Sequence, residues 1–525
     1  MRVRALSVLL SSLMLTAPAW ADKLTVGVQQ ETTAVDPHFH NTAPNNQLAL
    51  HIFDPLILTD EKLKPLPGLA ESWKVISDTA WELKLRRNVK WHDGSSFTAD
   101  DVVFTFERAP NVPGSPGSFG LFIRGKEATK LDDYTVRIET KEPYPLMLDD
   151  LANFVIISKK HGLGAKTEDY NSGKAAIGTG PYKFKSYRPG DFTTLEPNLA
   201  YWGSKPKWDE VTFKLITSDP SRVAALLSNT VDVIDHVPTI DIPALRKDAR
   251  FAIHEVPSLY VVFLSIDSKR DLTPFVTDNA GKPLFPNPLR DQRVRRAMSM
   301  AINRPAIVDR IMGGSAVASG QMVQDGFFGY DPSLGPEKYD PDAARKLLAE
   351  AGYPDGFRLT LHSPSDRYVN DARIAEAIAQ MFPRIGIKTE LVTYPRSVFF
   401  TRATNGGELK TPAFSVYLTA ISARTGESSS PMRAVIATYD PTGGGGTNNR
   451  GRYSNLRFDA RMAEALRTLD DAKREAMLIE AQKIAMDDVA LIPLHFQVNT
   501  WASKSNLVVK GRPDEVSLAD FVTKR

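Results

Sequence analysis

Not one of the 525 residues is a cysteine, so whatever this chain folds into is held by buried apolar surface and not by disulfides. Its length makes that workable. Small exported domains bury too little surface to stand without cross-links, whereas a chain of about 500 residues buries enough. A single core rarely grows beyond about 250–300 residues, so at least two lobes are expected. The missing thiol also excludes cysteine nucleophiles, cysteine-ligated zinc and an acylated N-terminal cysteine.

The point matters because the N-terminus has the form of a secretion signal. Arg2 and Arg4 make a positive start, residues 5–15 are mostly apolar, and Ala19-Trp20-Ala21 has the small-x-small pattern that a signal peptidase reads. Residues 1–21 are therefore expected to be removed, since the apolar stretch is shorter than the roughly 20 residues of a membrane-crossing helix. No later stretch reaches about 18 uninterrupted apolar residues, so the mature chain is expected to be soluble and periplasmic. The formal net charge of +3 falls further when Arg2 and Arg4 are lost. A near-neutral chain with no run of Lys or Arg lacks the clustered cations that bind phosphate backbones, which argues against nucleic acid.

Turn signals are spread evenly along the chain, at residues 65–68, 113–117, 178–181 and 443–446, with no tandem repeat or low-complexity linker. That pattern favours compact lobes that interrupt one another over separate beads. Both periodicities occur. Residues 81–85 and 135–139 alternate as strands do. Residues 357–361, 371–382 and 387–392 read as strand, helix and strand, the unit that builds a parallel sheet with helices on its faces. Further amphipathic helices are expected at 343–351 and 458–470. The fold class is α/β.

A series of segments carries more specific information. Residues 69–73 (LAESW) are followed by 81–86 (WELKLR), 89–94 (VKWHDG) and 97–104 (FTADDVVF). Then come GTGPY at 178–182, VRRAM at 294–298, AIN at 301–303, YDP at 339–341, IGI at 385–387, YSN at 453–455 and LIP at 491–493. In this order, over nearly the whole chain, they resemble the oligopeptide- and dipeptide-binding family of extracellular solute-binding proteins, family 5, which serve ABC importers. Within the segments, Asp93-Gly94 suits a tight turn, and Thr98 with Asp101 suits a helix cap, so His92 and Asp93 read as scaffold.

The resemblance implies a three-lobed periplasmic binding protein type II fold with mixed sheets, flanking helices and a hinged cleft. Lobe I would comprise residues 22–52, 178–269 and 499–525; lobe II would be the insertion 53–177; lobe III would be 270–498. It also implies a monomer that captures a peptide or other small solute. The solute would pass to an ABC permease in the inner membrane, powered by cytoplasmic ATPase subunits. No catalytic residue, cofactor or metal belongs to this reading.

In open α/β sheets, ligands lie beyond the carboxyl ends of strands. That rule points to Thr32 after residues 24–29, to Arg367 and Tyr368 after 358–361, and to Tyr394 after 387–392. In peptide-binding relatives, a segment matching 414–427 carries an aspartate that pairs with the peptide's ammonium. Here it runs through Tyr417, Thr419 and Arg424 to Glu427 with no aspartate. Glu427 is the remaining acid for that role; otherwise Arg424 and Arg367 favour a carboxylate-bearing ligand.

Three rivals remain open. The same capture role for an opine, an oligosaccharide, a nickel chelate or haem is one. A secreted hydrolase is another, although no Gly-x-Ser-x-Gly, His-Glu-x-x-His or phosphate-loop pattern occurs. The third is metal binding at His38 and His40, a pair with no evident third ligand.

Overall fold

The computed structural model describes residues 22–117 and 119–525; the expected signal, residues 1–21, lies outside the described residues. Its architecture is mixed α/β. The strand-helix-strand unit is present as Phe357–Pro364, Asp371–Met381 and Ile387–Tyr394, the strands pairing in parallel from Phe357 opposite Ile387 to Pro364 opposite Tyr394. Helical spacing brings Ile374, Ala375 and Ile378 onto the sheet, where all three are buried. Two glycines close the unit. Gly356 and Gly386 both have positive φ, and a Cβ on Gly356 would sit 1.9 Å from the Gly386 carbonyl oxygen.

The two alternating segments found in the sequence are the inner strands of a separate four-stranded antiparallel sheet, ordered Ala70–Ser77, Ala80–Leu85, Thr135–Thr140, Lys126–Asp132. Its inner face carries Trp81, Leu83, Val136 and Ile138, packed with Phe97 and with Val102 and Phe106 of the helix Ala99–Arg108. Asp101 accepts the Thr98 N–H at 3.0 Å, forming the expected cap, and also binds the Lys159 N–H at 2.8 Å.

His92 and Asp93 are explained locally. Asp93 closes its turn on Ser95 and takes Lys160 Nζ at 2.6 Å. Burial raises its pKa, but the bonds from Lys160, Ser95 and His161 outweigh burial and hold it well below the usual carboxylate range. His92 sits between the Gly178 N–H and the Gly180 carbonyl. Gly178 leaves no room there, since a Cβ would lie 1.7 Å from the Ile52 carbonyl oxygen.

A twelve-stranded sheet holds most of the remaining strands, with two small two-stranded sheets beside it. At its centre, Phe251–Ile266 and Ile492–Lys504 pair antiparallel over most of their lengths. A strand of 16 residues reaches about 50 Å at roughly 3.3 Å per residue, which lets it serve two cores. Phe251 packs with Val223, Leu226 and Ile234, whereas Val262, Leu264 and Ile266 pack with Leu361, Val416 and Leu494. Between these ends the pairing register shifts from Pro257 to Val261.

The apolar clusters draw on interleaved stretches of the chain. One joins Leu24, Val26 and Phe53 to Tyr182, Trp208, Trp501 and Val522. A second draws on residues from Leu56 to Ile156. A third runs from Val262 to Leu494, with a neighbour around Phe263, Met432 and Leu478.

Candidate functional site

Three recesses meet at Tyr260. The first, about 1210 Å³ and open to solvent, is lined by residues that include Asn46, Leu50, Leu58, Asp149, Arg424, Glu515 and Val516. The second, about 1570 Å³, lies among Gln29, His236, Asn370 and Asn499. The third, about 870 Å³, lies among Phe400, Thr419, Ser422 and Arg450. Tyr260 lines all three; Arg367 and Tyr368 line the second and third, and Arg424 the first and third. Shared walls make the recesses one branched cleft between the cores.

The loop after Phe357–Pro364 is set by Asp371, whose Oδ2 accepts the N–H groups of Arg367 at 2.9 Å and Tyr368 at 3.0 Å. That bend places the Arg367 guanidinium 5.8 Å from the centre of the Tyr260 ring and 5.0 Å from that of Tyr368. The Tyr368 hydroxyl lies 3.3 Å from Thr419 Oγ1 and donates to the Ala420 carbonyl at 3.3 Å. Arg367, Tyr368, Thr419 and Arg424 are therefore brought together on one cleft wall.

The other expected residues stand elsewhere. Tyr394 lies in a stack with His362 and Phe414, at 6.3 Å and 6.1 Å between ring centres. Tyr417 is buried against Phe399 and Phe414, its hydroxyl without a hydrogen-bond partner among the described residues. Neither lines the three recesses. Thr32 donates to the Pro44 carbonyl at 3.3 Å and lines a small separate recess with Tyr187 and Phe213. Glu427 is only 2% exposed, and its carboxylate is held by Arg474 and Ser429. Burial pushes its pKa up against the pull of both partners.

Two cleft residues carry no sequence signal of their own. Tyr260 projects where the register shift follows Pro257, and the proline inside an apolar run is the one clue to it. Asp149, from the helix Met147–Ala152, lines the first recess and makes no ion pair among the described residues. Burial, reinforced by the negative charge of Glu427, drives its pKa well above the carboxylate range.

His38 and His40 do not converge. The His38 ring is buried at 2.8 Å from the Val155 carbonyl, whereas His40 Nδ1 meets Thr33 Oγ1 at 3.1 Å. Among the described residues, no group of three or more His, Cys, Asp or Glu side chains suits a metal ion.

The strand Val416–Ser422 gives the cleft a backbone edge. It pairs along its length with Phe251–Ile266, but with Phe357–Pro364 only at Val416 and Tyr417. Asp267 N–H donates to the Ser415 carbonyl and Ala423 N–H to the Leu259 carbonyl, so odd-numbered residues face the long strand. Strand alternation then turns the N–H groups of Ala420 and Ser422 to the other side, towards the third recess that both residues line.

The family model of the bacterial extracellular solute-binding proteins, family 5 Middle, matches residues 64–442. The chain belongs to that family. Among curated family relatives, the glutathione-binding protein GsiB of Pectobacterium atrosepticum is 29% identical over 479 residues, covering 89% of this chain and 88% of the relative. The dipeptide-binding protein of Escherichia coli is 29% identical over 459 residues, covering 82% and 81%. Solved structures share the fold. HbpA2 of Haemophilus parasuis superposes with a TM-score of 0.81 at 24% identity, covering 96% of this chain and all of the other. The periplasmic murein tripeptide-binding protein MppA, in its unliganded open form, gives 0.79 at 23% identity over 96% and 98%. For a solute-binding protein of family 5, a branched cleft with an open strand edge supplies both orientation and room.

Proposed function

We propose that this family 5 protein captures short peptides in the periplasm and hands them unchanged to an ABC permease of the inner membrane, acting as a monomer. The observation that carries the reading is the open edge at Ala420 and Ser422, facing a cleft wide enough for side chains. An extended peptide adds itself to such an edge as a further strand, its backbone supplying affinity whatever its side chains. Bridging waters in roomy recesses adapt to varied residues. The names of the glutathione- and dipeptide-binding relatives support the same cargo.

In this reading the chain divides into lobes at 22–52 with 178–269 and 499–525, at 53–177, and at 270–498; the clusters from Leu56 to Ile156 and from Val262 to Leu494 support the second and third, whereas the first cluster also takes in Phe104, Val155 and Tyr170. Closure occurs by bending of the two long strands near the shift between Pro257 and Val261. The driving free energy is the set of ligand contacts made only when both walls touch the peptide.

Hydrolysis fits the cleft less well. Burial disfavours a charge on His236, but Asp235, 3.3 Å away, outweighs burial and lifts the pKa to about 9. Calorimetry with di- and tripeptides, followed by mass analysis of the mixture, tests the proposal. Saturable one-to-one binding with intact peptide supports it; cleavage products without stoichiometric retention overturn it.

A further inference from the structure

The third recess has an unusual charge make-up. Three of the residues lining it are arginines, Arg367, Arg424 and Arg450, and none is acidic. Among the described residues, no carboxylate comes within ion-pair distance of any of the three guanidiniums, whereas Arg512, which lines the first recess, is paired with Asp514 at 2.6 Å. The hydrogen-bond partners that these arginines do have are neutral, and Glu515 acts on Arg367 only from beyond ion-pair distance. Arg450 donates to Thr404 Oγ1 at 3.0 Å and to Asn448 Oδ1 at 3.3 Å, and lies 5.7 Å from the Phe400 ring centre. Arg367 is laid over the rings of Tyr260 and Tyr368. Arg424 makes no hydrogen bond or ion pair within the described residues and is exposed to the cleft.

A guanidinium carries five N–H donors in a planar fork, so these neutral contacts leave most of the donor capacity open. Like charges converging on a low-dielectric cleft concentrate a positive potential. When closure removes water, uncompensated buried charges become costly. A neutral ligand leaves that cost in place, and an anionic group relieves it.

We propose that this recess is an anion subsite that selects peptides bearing an acidic side chain, the carboxylate being held by Arg424 and Arg450 with Arg367 beside them. The proposal rests on the peptide reading for its ligand class. An extended peptide hydrogen-bonded to Ala420 and Ser422 lies against the same recess, and alternate side chains of a strand leave it on the same face. One acidic residue of such a peptide therefore reaches the guanidiniums while the backbone stays on the edge. Bidentate pairing explains why arginine, with its fork, occupies these positions rather than lysine.

The test uses the mature protein and the isosteric pair Ala-Glu-Ala and Ala-Gln-Ala, with glutarate as a dicarboxylate that lacks a peptide bond. The parent is expected to bind the glutamate peptide about tenfold to hundredfold more tightly than the glutamine peptide, with an advantage that shrinks as salt is added. In Arg424→Gln and Arg450→Gln the glutamate-to-glutamine ratio is expected to fall towards one, while Lys346→Gln, at an exposed position away from the cleft, keeps it. Equal binding of both peptides by the parent, or a ratio that survives in Arg424→Gln/Arg450→Gln, overturns the anion subsite and leaves the peptide reading intact. Binding of glutarate but of neither peptide, lost in the double variant, supports the subsite and overturns the peptide reading. Binding of nothing overturns both.

Discussion

Replacing Ala420 with proline separates the ligand's edge of the sheet from the protein's own. Because the Ala423 N–H donates to the Leu259 carbonyl, alternation turns the Ala420 N–H away from the long strand, so proline there removes no ladder bond. Thr419 is already extended, as a residue before proline must be, and the Ala420 carbonyl still accepts from Tyr368. What is lost is one donor to the peptide, whose carbonyl then goes unpaired at a loss of about 1–3 kcal/mol, roughly tenfold to hundredfold in Kd. Ile421→Pro is the matched control. Its N–H faces Val261 across the ladder, so the same chemical change one residue along weakens the fold by about 1–3 kcal/mol instead. Titration calorimetry and urea unfolding read the two effects. If Ala420→Pro binds tripeptides as tightly as the parent, or unfolds as easily as Ile421→Pro, the open-edge argument is wrong.

Other outcomes follow from the same geometry. Glu427→Gln leaves Arg474 buried beside a neutral partner, so unfolding free energy is expected to drop by about 3–5 kcal/mol, measured by denaturant titration, while peptide affinity changes far less. His51 has its pKa lowered to about 4 by burial, opposed by the bond to Gln47; its Nε2 accepts the Ala519 N–H at 3.0 Å, so Nδ1–H donates to the Gln47 carbonyl at 2.7 Å. The folded pKa lies below the unfolded one, so this stability is complete above pH 6.5. It is lost as pH falls towards 4, by about 1.4 kcal/mol per pH unit, and melting curves of His51→Gln are expected to show a shallower acid slope than the parent. Gly178→Ala puts a Cβ against the Ile52 carbonyl, so a lowered melting temperature is expected in a thermal melt.

Much of the fold was legible because short-range pattern and long-range packing agree. Residues 357–392 alternate, then follow the helical period, then alternate again, and Gly356 and Gly386 mark the joins; the structure has those elements within a few residues. The two inner strands of the small sheet declared themselves in the same way, whereas its outer strands, Ala70–Ser77 and Lys126–Asp132, did not. The two central strands did not. Pro257 interrupts Phe251–Ile266, and the register shift beside it breaks the period of two. The cleft was half legible for a related reason. Arg367, Tyr368 and Thr419 follow strand ends or lie on the strand that the family segment marks, whereas Tyr394 stands at a strand end but is absorbed by its stack with His362 and Phe414. The pairing of Glu427 with Arg474, 47 residues away, and the approach of Asp149 depend on how the cores meet, which no local pattern records.

The absence of native cysteine makes a direct test of the clamp straightforward. Spin labels introduced by Lys247→Cys and Lys346→Cys, in the stretches proposed as the first and third lobes, report the separation of those stretches by double electron-electron resonance. Capture by closure predicts a broad, longer distance distribution in the free protein that narrows and shifts when a saturating tripeptide is added. An unchanged distribution with peptide demonstrably bound would contradict the account.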